Sequence, residues 1–200
     1  IDADMQVVAE DALRRALKQY DSKAGSVVVM DPNTGKLKAL VSLPSYDNSL
    51  FTGRIDPVIY AELANRADKP LYPRAVSGEY PSGSTIKILY AAAGLDAGVI
   101  SPSTSIVSVG GFYIGQWFFP DWKFGGHGIT DVRKAIAESV NTFFYILGGG
   151  KDDRDGLGIA RLKAYAEKFG LGQKLGIDLP GERAGFFPTP EWKEEVIKEQ

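Results

Sequence analysis

The chain has 200 residues, a formal net charge of -2, 44% hydrophobic and 24% charged residues, an ordinary globular balance at a length that supports one domain with a real core. Near-neutral charge removes the electrostatic case for a nucleic-acid partner, and no apolar run is long enough to span a bilayer. Cysteine is absent and His127 is the only histidine, which excludes disulfides, thiolate catalysis, Cys-ligated zinc and His clusters, and leaves a Ser-His-Asp triad only that one residue to use.

The chain starts at Ile1 with no signal peptide, and so reads as an excised piece whose missing anchor says nothing about its parent. "DADMQVVAEDALRRALKQY" reads as an amphipathic helix with Met5, Val8, Ala12, Ala16 and Tyr20 as its apolar stripe. Ser26 to Met30 and Leu37 to Ser42 flank "DPNTG" as a hairpin. From Pro44 to Ser82 the periodicity is weak, giving loop with one short helix at Pro57 to Asn65. Ser84 to Ala97 is a strong apolar helix. The Gly- and aromatic-rich stretch that follows yields short strands. Thr130 to Leu147 reads as a second apolar helix with Asp131 at its start, and Asp155 to Phe169 as a third, with Ile159, Leu162, Ala166 and Phe169 as its stripe and Gly170 ending it. A loop and a charged helix close the chain. One helix, one hairpin and a helical block predict an α+β class, with a hairpin that needs further strands to be stable.

The chemistry concentrates in "EYPSGSTIKILYAAAG". Ser84 and Lys87 share a helix face. A serine hydroxyl needs a base before it is a useful nucleophile. A lysine can be that base when burial and a helix N-terminus lower its pKa. The free N–H groups of the same turn can hold an oxyanion. The plainer reading is a helix cap with a solvated lysine, and a Ser-x-x-Lys match arises roughly once per chain of this length by chance. A second polar pair, Ser139 and Asn141 in "AIAESVNTFFYILGG", sits inside an apolar segment. Its plainer reading is helix-interior side chains bonded to nearby carbonyls. A cleft containing Ser84 and Lys87 would give both the partners that buried polar groups require.

Together these motifs resemble the transpeptidase domain of the class B penicillin-binding proteins, closest to the elongation-type branch, penicillin-binding protein 2. "YPSGSTIK" is similar to the family's nucleophile motif and "ESVNTFFY" to its Ser-x-Asn motif. "GSVVVMDPNTGKLKALVSLPSYDNSLF" is similar to its first sheet strands, and "DWKFGGHG" and "LGIDLPGE" to segments of the elongation branch. The resemblance covers essentially the whole chain. It implies the penicillin-binding protein and serine β-lactamase-like α+β fold, incomplete here. Residues 1–200 would be a partial transpeptidase domain, without the membrane anchor, the pedestal domain and the C-terminal third.

The resemblance also implies roles. Ser84 is acylated by the terminal D-Ala-D-Ala of a peptidoglycan stem peptide, and Lys87 is its general base. Ser139 carries a proton to the departing D-Ala, and Asn141 holds the substrate amide and orients Lys87. A second stem peptide resolves the acyl-enzyme, and β-lactams trap it. A glycosyltransferase partner, an anchored parent and a periplasmic location on the inner membrane follow in the same way. The alternatives are a β-lactam sensor or non-catalytic scaffold and, with no assignable deacylating base, a serine β-lactamase.

Two departures stand out. The family's Lys-Thr-Gly or Lys-Ser-Gly motif is absent, so the chain is expected to stop upstream of that strand, to acylate weakly and to leave an open sheet edge prone to dimerise. Some relatives hold zinc with Asp, His and Cys. Asp121 and His127 match, but Val140 stands where the Cys would be, so no metal and no cofactor is expected. Trp117, Phe118, Phe119 and Trp122 could line a groove, but core packing is the favoured reading. His127 reads as a structural hydrogen bonder, "KDDRDG" at 151–156 as a solvated turn rather than a calcium loop, and Glu182 as a structural loop residue.

Overall fold

The computed structural model describes residues 1–198, and the chain divides into two compact units, Ile1–Glu79 with Gly176–Arg183, and Tyr80–Leu175 with the residues from Ala184 onward.

In the first unit, helix α1 (Ala3–Gln19) starts where the Asp2 carboxylate accepts the Met5 N–H at 3.0 Å. Strands β1 (Gly25–Met30) and β2 (Leu37–Leu43) pair antiparallel, with a register shift between Val29 and Met30. Their turn is closed by Asp31, whose carboxylate accepts the Asn33 N–H and the Thr34 hydroxyl, each at 2.9 Å. Helix α1 lies on β2, and Gln6 locks the pair by exchanging two hydrogen bonds with the Leu40 backbone at 2.9 and 2.8 Å. The buried set is Ala9, Leu13, Ala39, Val41 and Leu43. The stripe read from the sequence is therefore displaced. Met5, Val8 and Tyr20 are exposed, because Gln6 faces β2, and Ala9 and Leu13, three and seven residues further on, follow it onto the same face. Helix α2 (Pro57–Asn65) matches the sequence reading, with Asp56 capping and Pro57 in the first turn. The one-turn α3 (Arg74–Ser77) was not anticipated. It is fixed by Ser77 Oγ donating to the Gly181 carbonyl at 2.6 Å and by the buried Arg74 guanidinium donating to the carbonyls of Lys69 and Asp68 at 2.9 and 2.6 Å.

The second unit carries α4 (Lys87–Asp96), β3 (Ser105–Ser108), β4 (Gly111–Ile114), β5 (Trp117–Pro120), β6 (Gly128–Asp131), α5 (Val132–Ala137), α6 (Asn141–Gly149), α7 (Gly158–Lys168) and α8 (Pro190–Lys198). Its sheets are two antiparallel ribbons, β3 with β6 and β4 with β5. The core is formed by α4, α5 and α6 through Ala91, Ala93, Val132, Ala135, Val140, Phe143 and Leu147. Three readings change here. Thr130 to Leu147 is not one helix: Thr130 is in β6, Asp131 caps α5 by accepting the Lys134 N–H at 2.8 Å, and the chain breaks at Glu138–Val140 before α6. Helix α7 starts at Gly158 and not at Asp155, because the preceding turn folds back so closely that a Cβ on Gly156 would lie 2.3 Å from the Gly150 nitrogen. Ile159 and Phe169 are exposed, while Ala166 is buried and Leu162 packs on the core.

Gly94 sets the approach of α4 to α6. A Cβ there would lie 2.7 Å from Leu147 Cδ1 and 3.1 Å from Ile100 Cγ1, and Leu147 is 2% exposed. Gly94→Ala gains about 1 kcal/mol of helix propensity, but overpacking at a closed contact costs about 1–3 kcal/mol. The expected net result is a loss of about 1 kcal/mol, read as a lower denaturation midpoint with an unchanged m-value.

Candidate active site

Gly83 takes a left-handed conformation (φ 53°) that bends "PSG" into a 3-10 turn over Gly83–Ile86, and α4 continues from it. The Ser84 carbonyl accepts the Lys87 N–H that closes this turn. Ser84 is thus inside the first turn rather than capping it. Its side chain is exposed, and among the described residues its Oγ has no hydrogen-bond partner.

Lys87 begins α4 and is 9% exposed. Its Nζ lies 5.5 Å from the Phe144 ring centroid and donates to Ser139 O at 2.8 Å, Ser139 Oγ at 3.0 Å and Asn141 Oδ1 at 2.6 Å. Burial pushes the Lys87 amine below the ordinary lysine value, and the charge of Asp121 opposes that shift. The fold therefore brings together three of the four residues singled out in the sequence, Lys87, Ser139 and Asn141. Ser84 stands on the adjoining turn without a bond to Lys87.

Ser139 lies in the break between α5 and α6 at φ 53°, a conformation that costs a non-glycine residue about 1–2 kcal/mol. The break turns the Ser139 carbonyl and hydroxyl together onto Lys87, which a continuous helix would not do. Beside it, Asp121 is buried and accepts five hydrogen bonds. Those to Oδ1 come from Trp122 N–H (2.9 Å) and Asn141 N–H (3.1 Å). Those to Oδ2 come from Thr142 N–H (3.0 Å), Thr142 Oγ1–H (2.7 Å) and Ser108 Oγ–H (3.1 Å). Burial alone would raise its pKa, but the bonds from Thr142, Asn141 and Trp122 outweigh it and hold the carboxyl at about 2.

His127 is buried, with Nδ1 2.7 Å from Glu138 Oε2 and Nε2 3.5 Å from Asp121 Oδ1. These residues do not fit the zinc set of some relatives. The third position is the fully buried side chain of Val140, both Asp121 oxygens are already occupied by N–H and O–H donors, and His127 Nδ1 faces Glu138. Among the described residues, no group of three or more His, Cys, Asp or Glu is arranged to hold a metal.

The aromatic cluster is not core. Trp117, Phe118 and Trp122 are exposed on and beside the β4–β5 ribbon, because that ribbon has one covered face only, where Phe112 and Phe119 meet Tyr145. Sequence reasoning passed over Thr142 and treated Asp121 only as a would-be metal ligand. The available signal was a lone acid directly after an aromatic strand, in a chain whose polar pair at Ser139 and Asn141 needs donors and acceptors.

The family description "Penicillin binding protein transpeptidase domain" matches residues 25–199. The peptidoglycan D,D-transpeptidase MrdA of Acinetobacter baumannii is 42% identical over 195 residues, covering 96% of this chain and 27% of the relative. The structure of Pseudomonas aeruginosa PBP2 in complex with WCK 5153 superposes with a TM-score of 0.83 at 38% identity, over 98% of this chain and 42% of that one. A chain of a peptidoglycan synthase complex, solved for the coordination of polymerization and crosslinking, gives a TM-score of 0.84 at 31% identity, over 98% of this chain and 35% of that one. The chain thus spans between about a quarter and under half of the length of these relatives.

Two outcomes follow from the site. Ser139→Gly and Ser139→Ala both delete the hydroxyl, but only glycine relieves the left-handed backbone. After glycine's own entropy cost, the Gly variant should be the more stable by about 0.5–1 kcal/mol in chemical denaturation. Asp121 has its carboxyl lowered from 3.8 to about 2. Its contribution, on the order of 2 kcal/mol, is fully present above the unfolded-state value and lost as pH falls through the folded one. Stability measured between pH 5 and pH 2 should therefore fall less steeply in Asp121→Asn than in the parent.

Proposed function

Because the chain belongs to the penicillin-binding protein transpeptidase family, we propose that the whole protein cross-links peptidoglycan by acyl transfer through Ser84. The observation that carries this reading is the desolvated Lys87 amine, held by Ser139 and Asn141 one helical turn from an exposed serine that is unpartnered among the described residues. Lys87 Nζ takes the Ser84 proton, and Oγ attacks the carbonyl carbon of the penultimate D-Ala. The C–N bond to the terminal D-Ala breaks, and Ser139 passes the proton to the leaving amine. The amine of a second stem peptide then attacks the ester, forms the cross-link and returns the proton and Ser84.

Hydrogen-bond counting supports these roles. The amine donates three bonds, the full capacity of an ammonium. A neutral amine keeps two. The Ser139 carbonyl and Asn141 Oδ1 can only accept, so they retain both and fix the nitrogen. Its lone pair is left for the O–H of Ser84 or Ser139.

The likeness to a chain of a synthase complex supports a glycosyltransferase of the elongation machinery as partner. The kinship with bacterial cell-wall enzymes supports action on the outer face of the inner membrane, with anchoring of the whole protein. No described helix of this chain is long and apolar enough to cross a membrane.

The test is labelling of the full-length protein by a fluorescent penicillin. Ser84→Ala should abolish the adduct and leave the fold intact, with a stability change of about 1 kcal/mol or less. Undiminished labelling would assign the nucleophile elsewhere. Rapid release of hydrolysed drug would mark a β-lactamase. A lasting adduct without peptide cross-linking would mark a sensor.

A further inference from the structure

We infer that Asp121 is a positioning residue for the acyl transfer: it pins the first turn of α6 so that Asn141 Oδ1 meets Lys87 Nζ. The inference rests on the proposed function and adds a residue to it.

Helix α6 begins without a cap of its own, since Val140 occupies the N-cap position and has no side chain that could accept a bond. The first N–H groups of a helix have no partner inside it, and those of Asn141 and Thr142 lie against a buried core. Asp121, twenty residues earlier, accepts both, at 3.1 and 3.0 Å, and takes the Thr142 hydroxyl at 2.7 Å. A carboxylate is the favoured group at this end of a helix dipole. The same Asn141 whose N–H it holds presents Oδ1 to Lys87 at 2.6 Å. One short residue thus joins the carboxylate to the amine.

The clamp also reaches the other side of Ser139. Asp121 Oδ1 accepts the Trp122 N–H at 2.9 Å, and the Trp122 indole N–H donates to the Glu138 carbonyl at 3.0 Å. The strained residue is therefore held before and after, at Glu138 O and at Asn141 N, by two consecutive residues of one segment. A left-handed serine persists only where its surroundings over-determine it, and this pair supplies that determination. His127 and Glu138 close the cluster from the side.

A capping role alone would alter stability and leave the chemistry of the folded protein untouched. A positioning role alters the acylation rate of the folded protein, and does so through Asn141. The experiment is a double-mutant cycle in the full-length protein, with Asp121→Asn, Asn141→Ala and the pair, following the acylation rate by fluorescent penicillin per folded molecule. Displacing a catalytic group by about an ångström can cost about a hundredfold, so Asp121→Asn should slow acylation by about tenfold or more. On the Asn141→Ala background the same change should add less than about twofold, since residues that act as a unit are not additive. Should Asp121→Asn not fold, Thr142→Val removes one of the five bonds, and its smaller loss should vanish in the same way on the Asn141→Ala background. Unchanged acylation in the folded variant, or losses that simply add, would overturn the inference while wild-type labelling at Ser84 still stood. An unlabelled wild type would overturn the proposed function and this inference with it.

Discussion

The three bonds from Lys87 Nζ to Ser139 and Asn141 are the interaction on which the second unit depends. They tie the start of α4 to the break before α6, across more than fifty residues of chain. An amine this buried would be costly without partners, so the fold has to supply acceptors at a fixed place. It does so by interrupting what the apolar pattern would make a single helix. The interruption is the site: it exposes a carbonyl that helix geometry would have consumed and turns a serine hydroxyl beside it. Asp121 limits how far burial lowers the amine, and its own low pKa keeps that charge in place across the working range.

Much of this was legible in the sequence. The hairpin around "DPNTG", the helix at Pro57–Asn65 and the cap at Asp131 follow local rules of turn chemistry and helix entry, and the structure places them there. The pairing of Lys87 with Ser139 and Asn141 was also anticipated, because polar residues embedded in apolar helices need partners and few were on offer. What could not be read was whatever depends on the third dimension. The α1 face was misassigned because Val8 and Ala12, one residue before Ala9 and Leu13, form a neighbouring stripe of similar apolar quality, and the contact of Gln6 with Leu40 chooses between them. The break at Ser139 has no glycine or proline to announce it, since a tertiary clamp enforces it against local preference. The aromatic ribbon was misread as core because composition reports hydrophobicity, whereas exposure depends on whether a second layer covers the sheet.

The energetics account for the strongly apolar character of α6. A left-handed serine costs about 1–2 kcal/mol, and a desolvated amine adds several more before its bonds are counted. Against this, Val140 and Phe143 are fully buried and Leu147 is 2% exposed, and burying each such side chain contributes about 1.5–3 kcal/mol. Those residues begin directly after Ser139, so the stabilising and the destabilising terms occupy the same stretch of chain. A softer α6 would let Ser139 relax to an ordinary helical conformation, and the carbonyl that holds Lys87 would turn back into its own helix. The packing of Phe143 and Leu147 against α4 is thus a condition of the chemistry as well as of the fold. Gly94, which lets those two helices approach, belongs to the same argument although it lies two turns from the amine.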